Sequence, residues 1–358
     1  MCFINMYELS ITLTSDNAPA LLSTSRTQAN GDFQSAGLNT FEYKSLTASK
    51  AKPHALLLIA GLSDGLCTVP FMNDLAVSLE STNWSVFYVL LSSSNTGWGL
   101  SSLDKDVEEL GRCIDYVKAL KAREYQGEPG KVAIMGHSTG SQDVLHYLYT
   151  QAPEQTRSAV DGAILQAPVS DRESTLSILE TGTANDSAEV VNEIFYELVD
   201  VAKSNLNETD NGYILPVSMT SRIGFPSNVA VSSKRFLSLT SPDSPESPLE
   251  DDLFSSDLED KRLQETFGMI GKRGHLKGSI LVLPGGSDEY IPEWVDMESL
   301  LKRWETVTKA GSDNPAIWNE NSGVVPGARH SPQGKWQVKP IQDLLSRVQK
   351  FLASLELS

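Results

Sequence analysis

The chain has 358 residues, enough for one large α/β domain or two ordinary ones, and its 40% hydrophobic content allows a sizeable core. The net charge of −17 argues against nucleic acid, whose phosphates need a basic face, and disfavours anionic membrane surfaces. The same charge suits a cationic ligand.

The first elements are two β-like segments, "YELSITL" from Tyr7 and "TFEYKSL" from Thr40, separated by a long polar stretch. "HALLLIAG" from His54 is a continuous apolar run ending in glycine, the pattern of a parallel strand buried on both faces. A helix is predicted through "FMNDLAVSLE", then a strand at "WSVFYVLL" from Trp84. "LDKDVEELGRCIDYVKALKA" from Leu103 has helical spacing, with acids in its first turn and lysines near its end. "KVAIMG" reads as a strand, "SQDVLHYLYT" as a helix and "GAILQAP" from Gly162 as a strand.

The alternation then breaks. Residues 171–275 are acidic and Ser/Pro-rich in places, with two helical patterns, "AEVVNEIFYELVDVAK" and "DLEDKRLQETFGMI". After them come a strand at "GSILVLPGG", a helix at "PEWVDMESLLKRWETV", a strand at "SGVVPGA" and a closing helix at "PIQDLLSRVQKFLASL". The expected architecture is a mostly parallel sheet of about eight strands with helices on both faces. Residues 1–170 and 276–358 form its two parts, and 171–275 is a cap inserted between them.

The three cysteines, Cys2, Cys67 and Cys113, are odd in number, widely spaced and free of any CxxC. Neither a disulfide framework nor a zinc site is expected. "MCFINMYELS" lacks the basic and apolar regions of a signal peptide, and no apolar run approaches a membrane span. The expectation is a cytoplasmic protein, in which the glycosylation pattern "NET" at Asn207 has no role.

Gly136-His137-Ser138-Thr139-Gly140 fits G-x-S-x-G. Alone the pattern is weak, but an apolar strand runs into it and a helix starts within it, which is the setting of a nucleophile elbow. A serine needs a base to take its proton. Of five histidines only His330, in "VVPGARHSP", follows a late strand in a loop at the sheet end that also carries the elbow. The acid belongs between serine and histidine, at the end of a strand. Asp288 in "LVLPGGSDEYIP" and Asp171 in "PVSDRE" are both admissible, and Asp288 has the better context. The oxyanion donors are expected to be the backbone N–H groups of Thr139 and of Leu62, in "GLSDGL", with Gly61 allowing close approach. Trp98 in "NTGWG" is a candidate for lining the pocket.

These residues resemble the α/β-hydrolase superfamily across nearly the whole chain. "GHSTGSQDVLHYL", "GLSDGLCTVPF" and "RFLSLTSPDSPESPLEDDLFSSDLEDKRLQETFG" resemble more narrowly a fungal family that includes the fusarinine C esterases. The resemblance implies Ser138 as nucleophile, Asp288 as acid and His330 as base. It implies a small-molecule ester substrate, a ferri-siderophore, with no cofactor, no metal and no obligate protein partner. Ala60-Gly61 departs from the His-Gly of many hydrolases. The competing readings are a serine hydrolase or acyltransferase acting on another ester, thioester or lipid, and a binding module that has lost turnover.

Overall fold

The computed structural model describes residues 51–127, 130–151, 157–206 and 212–357, together with strand segments 7–10, 12–13, 23–25 and 38–45. Cys2 and Asn207 lie outside the described residues, as does most of the polar stretch between the first two β-like segments.

Four strands, β1 (Tyr7–Ser10), β2 (Thr12–Leu13), β3 (Ser23–Ser25) and β4 (Leu38–Ser45), precede β5 (His54–Ile59), β6 (Trp84–Leu90), β7 (Val132–His137), β8 (Val160–Gln166) and β9 (Leu276–Leu283). They form one sheet in the order β2-β3-β4-β6-β5-β7-β8-β9, with β1 also paired to β4. β4 is antiparallel to β6, and β5 through β9 are mutually parallel. The helices are α1 (Met72–Ser78), α2 (Leu103–Glu124), α3 (Thr139–Tyr149), α4 (Asp171–Thr181), α5 (Ala188–Ser204), α6 (Val217–Thr220), α7 (Ser233–Thr240), α8 (Asp260–Glu265), α9 (Ile270–Arg273), α10 (Met297–Ala310) and α11 (Val338–Glu356).

Among the described residues the long strands number six, not eight. "YELSITL" is split into two short edge strands. "SGVVPGA" makes only a single bridge, from Val325 to Gly285. The next residue, Pro326, has no N–H to extend a ladder, and Gly327 turns the chain at φ +67°.

The apolar runs are continuous because both sheet faces are covered. Ala55, Leu57 and Ile59 pack with α2, α3 and α10, while Leu56 and Leu58 pack with α1 and α11. At about 1.5–3 kcal/mol for each fully buried aliphatic side chain, a polar residue anywhere in the run would be costly. The parallel strands bring the loops after β5, β7, β8 and β9 to one edge, where ligands bind in open α/β sheets.

The segment between β8 and β9 is helical and divides by its packing. Leu179, Val191, Leu198 and Phe236, from α4, α5 and α7, form a separate cluster that also takes in Trp98. Leu253, Leu263, Phe267 and Ile270 instead join the sheet face under α3 and α10. Arg235 Nη1, fully buried, lies 2.6 Å from both carboxylate oxygens of Asp251 and ties the two parts together. α5 lies where the sequence places it, but the second expected helix is broken into α8 and α9. Thr266 leaves helical geometry there, at φ −110° and ψ −87°. α4 and α7 were not anticipated. Their signal was the capping serine: Ser170 Oγ accepts from Glu173 N–H, and Ser232 Oγ from Arg235 N–H. Among the described residues no helix is long and apolar enough to cross a membrane.

Candidate active site

β7 enters the site through Gly136, and α3 leaves it from Thr139. Between them Ser138 holds φ +55° and ψ −125°, a strained backbone for a non-glycine residue. The flanking glycines are steric requirements. A Cβ at Gly136 would lie 2.0 Å from the Gly140 carbonyl oxygen, and one at Gly140 would lie 2.3 Å from that of Ile59. Ser138 starts α3, yet its hydroxyl makes no capping bond. Its Oγ sits 2.8 Å from His330 Nε2.

His330 Nδ1 lies 2.9 Å and 3.1 Å from the two oxygens of Asp288, whose side chain is fully buried. An ionised carboxylate only accepts, so Nδ1 carries the proton and the lone pair of Nε2 faces the serine hydroxyl. The loops bearing the pair are joined: Ser287 N–H donates to the Ala328 carbonyl and Gly286 N–H to that of Val325. Glu289 Oε2 accepts the backbone N–H of His330, and the Tyr290 ring meets the imidazole edge-on at 4.6 Å. Ser138, His330 and Asp288 thus come together from three separate loops. Asp171, the other acid admissible by sequence, does not reach His330 Nδ1. Its Oδ2 accepts from Gln142 Nε2 at 2.9 Å.

Gly61 passes so close that its Cβ would lie 2.7 Å from Ser138 Cβ. Its N–H is taken by Asp64 Oδ2 at 3.1 Å, and Asp64 Oδ1 accepts the Thr68 hydroxyl at 2.6 Å. The N–H groups of Leu62 and Thr139 have no protein acceptor among the described residues. Asp64 was missed from sequence, although aspartate after "GLS" is a turn signal.

Ser138 and His330 open into a cavity of about 400 Å³, lined also by Gly61, Leu62 and Thr139 and, on the far wall, by Ile178, Ile223, Phe225 and Leu239. Trp98 is not part of this lining, contrary to expectation. It is buried behind the loop, on a smaller cavity of about 20 Å³ beside Leu62 and Thr139. Its indole N–H donates to Ser63 Oγ at 2.8 Å and its ring rests on Phe225 at 5.9 Å, so it braces the loop.

The other histidines have structural partners. His54 Nδ1 accepts from Lys131 N–H, His146 Nε2 meets Asp104, and His275 packs on Tyr147. His137 is fully enclosed beneath the site, its ring 5.2 Å from that of His330. Its Nδ1–H donates to Gln166 Oε1 at 2.5 Å, leaving Nε2 to accept from Ser331 Oγ at 3.0 Å. That pattern suits the neutral ring. Burial, followed by the neighbouring His330, lowers its pKa to about 4. The stability this contributes is fully present above pH 6.5, the unfolded value, and is lost as pH falls toward about 4. Denaturant midpoints at both ends of that window should show the wild type losing about 3 kcal/mol more than His137→Gln. Equal losses would mean that His137 titrates freely.

The arrangement is chemically complete for attack on a carbonyl: a hydroxyl, a base, an acid that fixes the base, and two free amides. The family description "Protein of unknown function (DUF1749)" matches residues 24–353. The fusarinine C esterase sidJ of Aspergillus fumigatus is 43% identical over 334 residues, which is 89% of this chain and 93% of sidJ. The solved structure of the siderophore hydrolase EstB from the same organism is 44% identical, covers 89% of this chain and 94% of its own, and superposes with a TM-score of 0.79. A soluble variant of monoglyceride lipase from Saccharomyces cerevisiae, 12% identical, covers 96% of this chain and 98% of its own, with a TM-score of 0.54. At that identity it shares the fold alone.

Proposed function

From the premise that this chain belongs to the DUF1749 family and has the α/β-hydrolase fold, we propose that it is a serine esterase that opens the ester bonds of fusarinine-type hydroxamate siderophores. The observation that carries the reading is the Ser138–His330–Asp288 chain of hydrogen bonds, in a chain 43% identical to a fusarinine C esterase.

The chemistry follows from the atoms. Ser138 Oγ attacks the ester carbonyl while His330 Nε2 takes its proton. The N–H groups of Leu62 and Thr139 receive the oxyanion, the second assisted by the positive end of α3. His330 then gives its proton to the leaving alcohol. Water, deprotonated by the same nitrogen, attacks the acyl-enzyme and frees Ser138. Asp288 holds the imidazole tautomer and stabilises the imidazolium between these steps. No step calls for a metal or organic cofactor, and any iron belongs to the substrate.

The inserted segment 171–275 acts as a cap, of which the part up to α7 supplies the far wall of the cavity through Ile178, Ile223, Phe225 and Leu239. The protein works in the cytoplasm, where the thiols of Cys67 and Cys113 stay reduced.

Ferric fusarinine C incubated with the enzyme and followed by mass spectrometry should give linear ring-opened product and then monomer. Intact siderophore, alongside rapid cleavage of a short acyl ester or a lipid, would overturn the substrate and leave only a serine hydrolase.

A further inference from the structure

The cavity around Ser138 has an electrostatic character that its chemistry does not use. Among its lining residues there is no lysine or arginine, and the titratable ones are Asp64, Asp171, His137, Tyr290 and His330. His137 is held neutral and His330 is bonded to Ser138 and Asp288. Both Asp64 oxygens are bound within the loop they organise. Asp171 is different. Its Oδ2 takes one N–H from Gln142, while its Oδ1 has no hydrogen-bond partner among the described residues, and the residue lines the cavity.

We infer that Asp171 is a specificity-determining residue, whose carboxylate receives a protonated amine of the substrate and so favours amine-bearing siderophore esters over their N-acylated forms. This rests on the esterase reading above and names the substrate chemistry that the same site selects.

Three observations carry it. First, the buried cations on this side are already committed: Arg235 is bound to both oxygens of Asp251 and Arg172 to both oxygens of Asp257. Second, Asp171 is the first residue of α4, but that helix end is already served by Ser170 as its cap and by Glu173 in its first turn. The carboxylate is therefore not needed there for capping. Third, its pKa is pushed up to about 6, chiefly by burial; Asp251 adds to the rise, while the Gln142 hydrogen bond, Arg235 and His330 oppose it. A buried carboxylate raised in spite of the Gln142 hydrogen bond, with Arg235 tied to Asp251, lacks a counter-charge of its own, and an ammonium donating to Oδ1 would supply one. Ser174, Thr175 and Ile178, on the same face of α4, continue the wall beyond it.

The test compares kcat/KM of wild type and Asp171→Asn on ferric fusarinine C, which carries free amines, and on its N-acetylated counterpart. The rate of fluorophosphonate labelling at Ser138 is followed in parallel. The wild type should prefer the amine form. In Asp171→Asn the amine-to-acetyl ratio of kcat/KM should fall roughly 10- to 100-fold, the scale of one charge-assisted hydrogen bond, and mainly through KM. An unchanged ratio overturns the inference, whether both activities fall together, as a merely structural role predicts, or neither does. The wild type alone also decides: equal or faster turnover of the acetylated form overturns the inference even if the variant does not fold. If the wild type cleaves neither siderophore, the siderophore reading fails separately and a serine hydrolase remains. The ratio is then read on p-nitrophenyl esters of lysine and of Nε-acetyl-lysine, with the same two outcomes.

Discussion

Ser138→Ala should abolish turnover, with a loss on the order of 10⁶ in kcat, the scale found when the nucleophile of a serine triad is removed. Labelling by a fluorophosphonate should vanish with it. The protein should stay folded, because among the described residues the hydroxyl bonds to His330 alone, and it caps nothing in α3. Alanine also tolerates φ +55° about as well as serine does, so no new strain enters. Activity is measured on ferric fusarinine C and on a p-nitrophenyl ester, with the thermal midpoint as control. Turnover within tenfold of wild type would remove Ser138 from the mechanism.

Asp288→Asn should be the next most damaging change, costing on the order of 10⁴ in kcat. The loss has a specific cause. An asparagine amide turned toward His330 Nδ1 donates where the carboxylate accepted. The imidazole proton then moves to Nε2, and the lone pair that faced Ser138 Oγ at 2.8 Å is gone. The geometry should barely change, since Oδ1 can still accept the Tyr290 N–H now bonded at 3.0 Å. A mild phenotype here, combined with a crippling one for Asp171→Asn, would transfer the orienting role to Asp171.

The residues that the structure brings together in the candidate site carry local punctuation in the sequence. A glycine-bounded serine after a buried apolar run can only be a tight turn, and the Cβ distances at Gly136 and Gly140 say why. His330 was picked out by its place after a late strand, but chain order left both Asp171 and Asp288 admissible as the acid, and only the local context of "GGSDEYIP" favoured Asp288. Trp98 was assigned to the cavity because a loop tryptophan gives no sign of which way its ring faces; packing on Phe225 and bonding to Ser63 settle that, and both partners are distant in sequence. His137, Gln166 and Ser331 form one polar chain under the site from positions spread over 194 residues, so no window of sequence could hold it. "SGVVPGA" looked like a strand by composition, but a strand also needs partners along its length, and Val325 finds one.

The bond between Trp98 and Ser63 has a consequence for anyone wishing to exchange the outer wall between relatives. Trp98 belongs by chain position to the sheet side, in the turn Gly97–Leu100, yet its ring is buried in the cluster built by α4, α5 and α7. The same turn is pinned again where Ser232 N–H donates to the Gly99 carbonyl, and a Cβ on Gly99 would lie 2.1 Å from the Ala230 carbonyl oxygen. A transplant cut at the ends of the helical segment would thus leave half of a packed joint behind, on the residue that steadies the loop beside Ser138. Mutations on the two sides should be non-additive, with interaction energies of about 0.5–3 kcal/mol, and a graft that carries residues 97–100 with it should outperform one that does not.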